Sequence, residues 1–161
     1  MEPNNKTAHF YYQDPNAPAP NLPLQVGVAA FIERDGALLL ERRSDSNRWS
    51  LIGGAVEMDE DLHQCVSREV WEETGLNVTA AGLVGIFSDP SRIVQYPDGN
   101  IMRSITVAFS VEVEDHKGLR RSEESRELAY IPLNVLANLD IVETHRHIVD
   151  SFLKKTPPIV E

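Results

Sequence analysis

The chain has 161 residues, a formal net charge of −10 and one cysteine, Cys65. A domain of this length buries roughly 70% of the surface its unfolded chain exposes, no apolar run approaches the ~20 residues of a membrane helix, and a lone cysteine excludes an intrachain disulfide or a cysteine-built zinc site. The acidic excess argues against a protein that coats nucleic acid, because such binding rests on Lys and Arg displacing counterions. A small phosphorylated ligand stays open, provided that a metal ion supplies the local positive charge. The opening MEPNNKTAHF lacks the basic-then-apolar order of a secretory signal, so a cytoplasmic location is expected.

Pro15, Pro18 and Pro20 punctuate the first residues, and neither a helix nor a central strand persists through such spacing. The expectation is an extended N-terminal tail over 1–22, a domain over 23–156 and a short C-terminal tail over 157–161. Phe10, Tyr11 and Tyr12 give the first tail an aromatic cluster that can pack on the domain or on a second subunit, which leaves a homodimer open.

Residues 24–32 form an apolar run, Arg34-Asp35-Gly36 supplies a turn, and residues 37–40 form a second run, which together predict a hairpin. Arg42 and Arg43 follow on opposite faces of that strand, so at most one of them reaches a ligand. Arg43 is the candidate substrate contact. The next strand-like run ends in Gly53-Gly54, where the backbone can approach a ligand closely.

A helix is predicted from Asp61 to Thr74. Asp61 suits the N-cap, Gln64 completes a capping box three residues on, and Gly75 stands where a left-handed residue ends the helix. At about 100° per residue, Leu62, Val66 and Val70 make one apolar stripe, with Glu69, Glu72 and Glu73 at roughly −20°, −80° and +20° from Leu62. The charges therefore overlap or border the face that should be buried. Like-charge neighbours at i,i+3 and i,i+4 cost roughly 0.2–0.5 kcal/mol each, more when desolvated. A hard cation such as Mg²⁺ or Mn²⁺, which prefers carboxylate, carbonyl and water oxygens, removes that cost. Cys65, among Leu62, Val66 and Val70, reads as a small buried hydrophobe rather than a nucleophile.

Residues 77–88 read as a strand pair interrupted at Ala80-Ala81-Gly82. Turns are expected at residues 89–92 and 96–100, with a loop between them beside the site. Ile105, Val107, Phe109, Val111 and Val113 alternate along a half-buried strand. Residues 115–126 are charged and loop-like and carry Glu123 and Glu124; a short strand over 128–131 and a helical turn over 134–139 follow. Val142, His145, Ile148, Val149 and Phe152 predict a final amphipathic helix, with His145 and His147 read as surface residues.

Gly54, Glu60, Arg68-Glu69-Val70, Glu72-Glu73 and Gly75-Leu76 together resemble the signature of the Nudix hydrolases, the MutT-like pyrophosphohydrolases: G-x5-E-x7-R-E-U-x-E-E-x-G-U, with U aliphatic. Every fixed position is present. One departure is Asp59, where many members have glycine. The likeness extends over residues 24–154 and implies an α/β fold, a Nudix-like αβα sandwich with a mixed β-sheet. It also implies a Mg²⁺- or Mn²⁺-dependent hydrolase that cleaves the pyrophosphate linkage of a nucleoside diphosphate derivative, such as a nucleoside triphosphate or ADP-ribose.

By that resemblance, Glu69, Glu72, Glu73 and the Gly53 carbonyl bind metal, while Glu60 and Arg68 form an ion pair that holds the loop and orients Glu69. Glu69 accepts a proton from water, or a glutamate outside the motif does, with Glu123 and Glu124 as candidates. The implied partner is a small-molecule nucleotide, neither a nucleic-acid polymer nor a membrane. A non-catalytic nucleotide-sensing domain is the alternative, and eroded carboxylates would mark it; here they are intact. Isomerase chemistry on a similar fold would want a reactive cysteine, which Cys65 within its helix does not supply. Pro90 and Tyr96 fall near positions associated with substrate subfamilies without matching any of them.

Overall fold

The computed structural model describes residues 7–161, in which ten strands, two α-helices and one 3-10 helix are found. Strand β1 (His9–Tyr11) precedes β2 (Gln25–Phe31), whose side chains are apolar on both faces toward its C-terminal end. A strand of that kind belongs in the middle of a sheet with both faces covered. β2 accordingly pairs antiparallel with β5 (Trp49–Ala55) and parallel with β8 (Ile101–Val113).

The expected hairpin between 24–32 and 37–40 is therefore replaced by a smaller one. β3 (Glu33–Arg34) alone turns back onto β4 (Ala37–Arg43), through Asp35 at φ 51° and Gly36 at φ 75°. Two consecutive positive φ values are what a two-residue hairpin loop requires. Beyond the turn, β4 takes β5 and β9 (Ser125–Pro132) as neighbours. Turn chemistry specifies only the residues beside it; the long-range partners of β2 are set by burial.

β6 (Val78–Phe87) is one strand, not two. The irregularity suggested by Ala80-Ala81-Gly82 is absorbed as shifts of register against β8, between Val78 and Ala80 and again between Leu83 and Gly85. The expected loop before Tyr96 contains β7 (Ile93–Gln95), which pairs with both β1 and β8. Residues 157–161 return to the sheet as β10 (Ile159–Val160), parallel to β6, because Ile159 has a buried apolar site to fill.

Alternation along the strands divides the core into two layers. Val28, Ala30, Ile32, Leu39 and Ile52 face α1 (Leu62–Thr74), which meets them with Cys65, Val66 and Val70. Ala29, Phe31, Leu38, Leu40 and Leu51 face the opposite layer, the 3-10 helix (Leu133–Asn138) and α2 (Glu143–Lys154), through Leu136, Ile148 and Val149. This is the expected α/β sandwich around a mixed sheet. None of the described helices is long and apolar enough to cross a membrane.

α1 starts and stops where its local signals place it. The Gln64 N–H donates to Asp61 Oδ1 at 2.8 Å and the Asp61 N–H to Gln64 Oε1 at 2.9 Å, while Gly75 at φ 73° ends the helix. A cap of this kind contributes about 1 kcal/mol.

The two histidines of α2 do not lie on the surface as expected. His147 is buried, with Tyr12 of the N-terminal segment stacked on it at 3.9 Å between ring centroids. His145 Nδ1 accepts the Leu51 N–H at 3.0 Å. Helical periodicity assigned them correctly to one helix; what covers them comes from distant segments.

Candidate active site

β5 brings the glycine pair alongside α1's acidic stripe, with Gly54 against Glu69 and Gly53 against Glu73. Ile52 packs toward α1, so Gly53 points to the other layer and Gly54 back toward α1. A Cβ on Gly54 would stand 2.3 Å from Glu69 Oε1; the carboxylate occupies the space a side chain would need. A Cβ on Gly53 would stand 2.0 Å from the Val28 carbonyl oxygen, so the close approach of β2 also requires glycine. Glu73, two turns along α1 from its apolar anchor Val66, reaches back to β5 and accepts the Gly53 N–H at 3.1 Å.

Arg68 organises the entrance to the helix. Its Nε and NH2 donate to the two carboxylate oxygens of Glu60 at 2.9 and 2.7 Å, its NH1 to Glu69 at 2.9 Å and to Glu72 at 3.1 Å, and NH2 also to the Ala55 carbonyl at 3.1 Å. The Glu57 N–H adds a bond to Glu60 at 2.9 Å. These bonds, Arg68's first, pull the Glu60 carboxyl down to about 2. The acidic turn between β5 and α1 is thereby tied to the helix that follows it.

A cavity of about 450 Å³ opens beside this cluster. Glu41, Glu69, Glu73 and Glu124 contribute four carboxylates to its wall, alongside Arg43 and the Gly53-Gly54 backbone. Burial, followed by the charges of Glu41 and Glu69, raises the Glu73 carboxyl well above the usual carboxylate range. Burial likewise raises Glu41, despite hydrogen bonds from Ser125 and Ser50, and raises Glu69 despite Arg68. Arg43 does not offset this charge alone, because it is held by Asp45 at 2.8 and 2.7 Å and lies 5.1 Å over the Phe10 ring.

The residues singled out in the sequence thus fall into three positions. Glu69, Glu73, Gly53, Arg43 and Glu124 line the cavity; Glu60 and Arg68 stand behind Glu69. Glu72, its side chain 55% exposed, is held by Arg68 and is not on the cavity wall. Glu123 is exposed and also off the wall, whereas the Glu124 carbonyl accepts both the N–H and the hydroxyl of Ser44, at 3.0 and 2.7 Å. Glu41 escaped the sequence reading. It lies two residues beyond buried Leu39 on the same face of β4, a periodicity signal that the neighbouring arginines mask.

Among the described residues no three His, Cys, Asp or Glu side chains already surround a common point closely enough to hold a metal ion. The donor set nevertheless fits one. Glu73 is 5% exposed, and its one hydrogen bond comes from the Gly53 N–H, so a cation is the partner missing from a wall of buried carboxylate oxygens. Cys65 has no such role: burial and Glu60 push its thiol up to about 12, and it packs beside the Ala55 carbonyl at 3.6 Å.

Comparison with known proteins agrees with this geometry. Residues 23–152 match the NUDIX domain family. An ADP-ribose pyrophosphatase of Methanocaldococcus jannaschii is 30% identical over 132 residues, covering 80% of this chain and 73% of that one. A MutT-like protein of Streptomyces ambofaciens is 46% identical over 68 residues, which span 42% of this chain and 44% of that relative's length. A crystal structure of the MutT protein from Methanosarcina mazei superposes with a TM-score of 0.65 at 27% identity, covering 85% of this chain and all of that one. The chain belongs to the Nudix family. It is a MutT-like Nudix pyrophosphohydrolase, an enzyme class that acts on small nucleotides.

Proposed function

We propose that the enzyme cleaves the phosphoanhydride linkage of a nucleoside diphosphate derivative, with Mg²⁺ or Mn²⁺ held by Glu69 and Glu73, joined by Glu72 and the Gly53 carbonyl. The observation that carries this reading is the wall of four carboxylates, buried or half-buried for the most part, around one cavity. When bound, a divalent ion neutralises pyrophosphate oxygens, stabilises charge developing on the leaving phosphate and lowers the pKa of a bound water.

The chain's own residues supply the rest. Arg68 and Glu60 fix the direction in which the Glu69 carboxylate points. Glu73 is positioned from β5 by the Gly53 N–H. Glu69 or Glu124 accepts the proton of the attacking water, both being on the cavity wall; Glu123 is the weaker candidate because it is not. Arg43, anchored by Asp45, is placed to meet substrate oxygen at the cavity's edge.

A panel of nucleoside triphosphates, ADP-ribose and nucleotide sugars, assayed with Mg²⁺ and with Mn²⁺, tests the reading. Metal-dependent release of a nucleoside monophosphate or of pyrophosphate supports it. Turnover that is equal with and without divalent ions refutes it.

A further inference from the structure

Beyond the carboxylate cavity lies a smaller one of about 100 Å³ that shares Arg43, Gly53, Gly54, Ala55 and Tyr96 with it. Its wall includes Arg92, which is 1% exposed and the largest fully buried side chain among the described residues. Arg92 donates from NH2 to Thr106 Oγ1 at 2.6 Å and from Nε to the Ser104 carbonyl at 3.3 Å, and its NH1 lies 2.8 Å from His147 Nε2. All three partners are neutral. Three contacts leave part of a guanidinium's five N–H donors uncommitted.

No carboxylate among the described residues lies within ion-pair distance of Arg92. Asp89 acts on it only through space, from beyond that distance, and a buried charge so weakly compensated is costly until a closer partner meets it. Arg43, the other cation on this wall, already has Asp45. The neighbouring polar groups suit an anion as well. His145 Nδ1 accepts from Leu51, which leaves Nε2 to bear the proton, and Thr106, accepting from Arg92, keeps a hydroxyl hydrogen to donate. The volume is far below the roughly 300 Å³ at which pockets begin to hold whole drug-sized molecules. It suits a compact oxyanion and not a base or a sugar ring.

We propose that Arg92 is the centre of an oxyanion subsite that receives a terminal phosphoryl group of the substrate, one lying beyond the two joined by the anhydride cleaved at the carboxylate cavity. The proposal rests on the hydrolase reading for the identity of the phosphoryl's owner. It selects nucleotides that carry a further terminal phosphoryl, such as nucleoside triphosphates, over ADP-ribose, whose second phosphate ends in a neutral sugar.

The test separates the two readings. Metal-free full-length protein is titrated with inorganic phosphate by calorimetry, using wild type, Arg92→Met, Arg92→Lys and Glu73→Gln. Phosphate binding is expected to weaken at least tenfold in Arg92→Met, less in Arg92→Lys, and to stay within about twofold in Glu73→Gln. With Mg²⁺, Arg92→Met is expected to lower the ratio of kcat/KM for triphosphate over ADP-ribose at least tenfold, mainly through KM. If Arg92→Met does not fold, the Arg92 side-chain N–H resonance of the wild type is followed instead, and it must move as phosphate saturates. Phosphate affinity unchanged in a folded Arg92→Met, a substrate ratio unchanged in that variant, or an Arg92 resonance that stays still overturns the proposal. Absence of any nucleotide turnover would sink the hydrolase reading, while the phosphate titration would still decide the subsite.

Discussion

Arg68 and Glu60 face each other through two parallel hydrogen bonds, Nε to Oε2 at 2.9 Å and NH2 to Oε1 at 2.7 Å. The pair joins the acidic turn to α1, and the same guanidinium then reaches Glu69. Glu60→Gln removes one charge and leaves the shape, so its effect should fall on the aim of Glu69 rather than on the fold. Turnover is expected to drop by roughly 10–100-fold, the usual loss when a group that orients a metal ligand is changed. Steady-state kinetics beside far-UV circular dichroism checks this; unchanged turnover, or loss of the helix signal, speaks against a positioning role.

The two glycines of β5 should separate function from stability. Gly54→Ala places a methyl against a side chain, Glu69, so it should move that carboxylate and cost activity while leaving a folded protein. Gly53→Ala meets the Val28 backbone carbonyl instead and should destabilise by about 3 kcal/mol or more, since β2 and β5 must part. Denaturant midpoints and turnover of both variants decide the point. Equal midpoints would contradict it.

His147 gives the acid limb of stability a specific source. Burial, then the Arg92 guanidinium, lowers its pKa from 6.5 to about 4, against weaker upward pulls from Glu161 and Asp89. The unfolded ring binds its proton near pH 6.5, so this contribution is complete above that pH and is lost as pH falls toward about 4. The loss is on the order of 2–3 kcal/mol, several degrees in Tm for a chain of this size. His147→Gln should fall less steeply than wild type over the same pH range; parallel curves would show that the ring does not titrate this way.

Cys65 should be inert in the native state. With its thiol pushed up to about 12 and its side chain fully buried, almost no accessible thiolate exists at neutral pH. A thiol-specific disulfide reagent should label it only on unfolding. Labelling of folded protein within seconds would reopen cysteine chemistry.

How far the sequence reaches is visible in these same residues. α1 was legible to the residue because its signals are local: Asp61 and Gln64 cap one end, Gly75 the other, and the positions of Glu69 and Glu73 follow from helical geometry. The partners of β2 were not legible, since Asp35-Gly36 speaks only for its own two-residue turn. Tyr12 lies far from His147 in sequence, and nothing on α2 announces it. Glu41 and Arg92 were missed for a related reason. A polar residue in a strand looks like an exposed end until the layers above it are known, and Arg92 lies in what reads as a turn.

The account turns on the carboxylates that share one cavity, and Glu73→Gln addresses them most directly. Glutamine keeps the side chain's size and can still accept the Gly53 N–H, but it removes the charge that binds metal. Turnover of the best nucleotide at saturating Mg²⁺ or Mn²⁺ is predicted to fall by more than about a hundredfold, beyond the usual cost of changing a group behind the ligands. The stabilisation that the divalent ion gives the wild type should disappear with it. Near-normal metal-dependent turnover by folded Glu73→Gln would contradict the account.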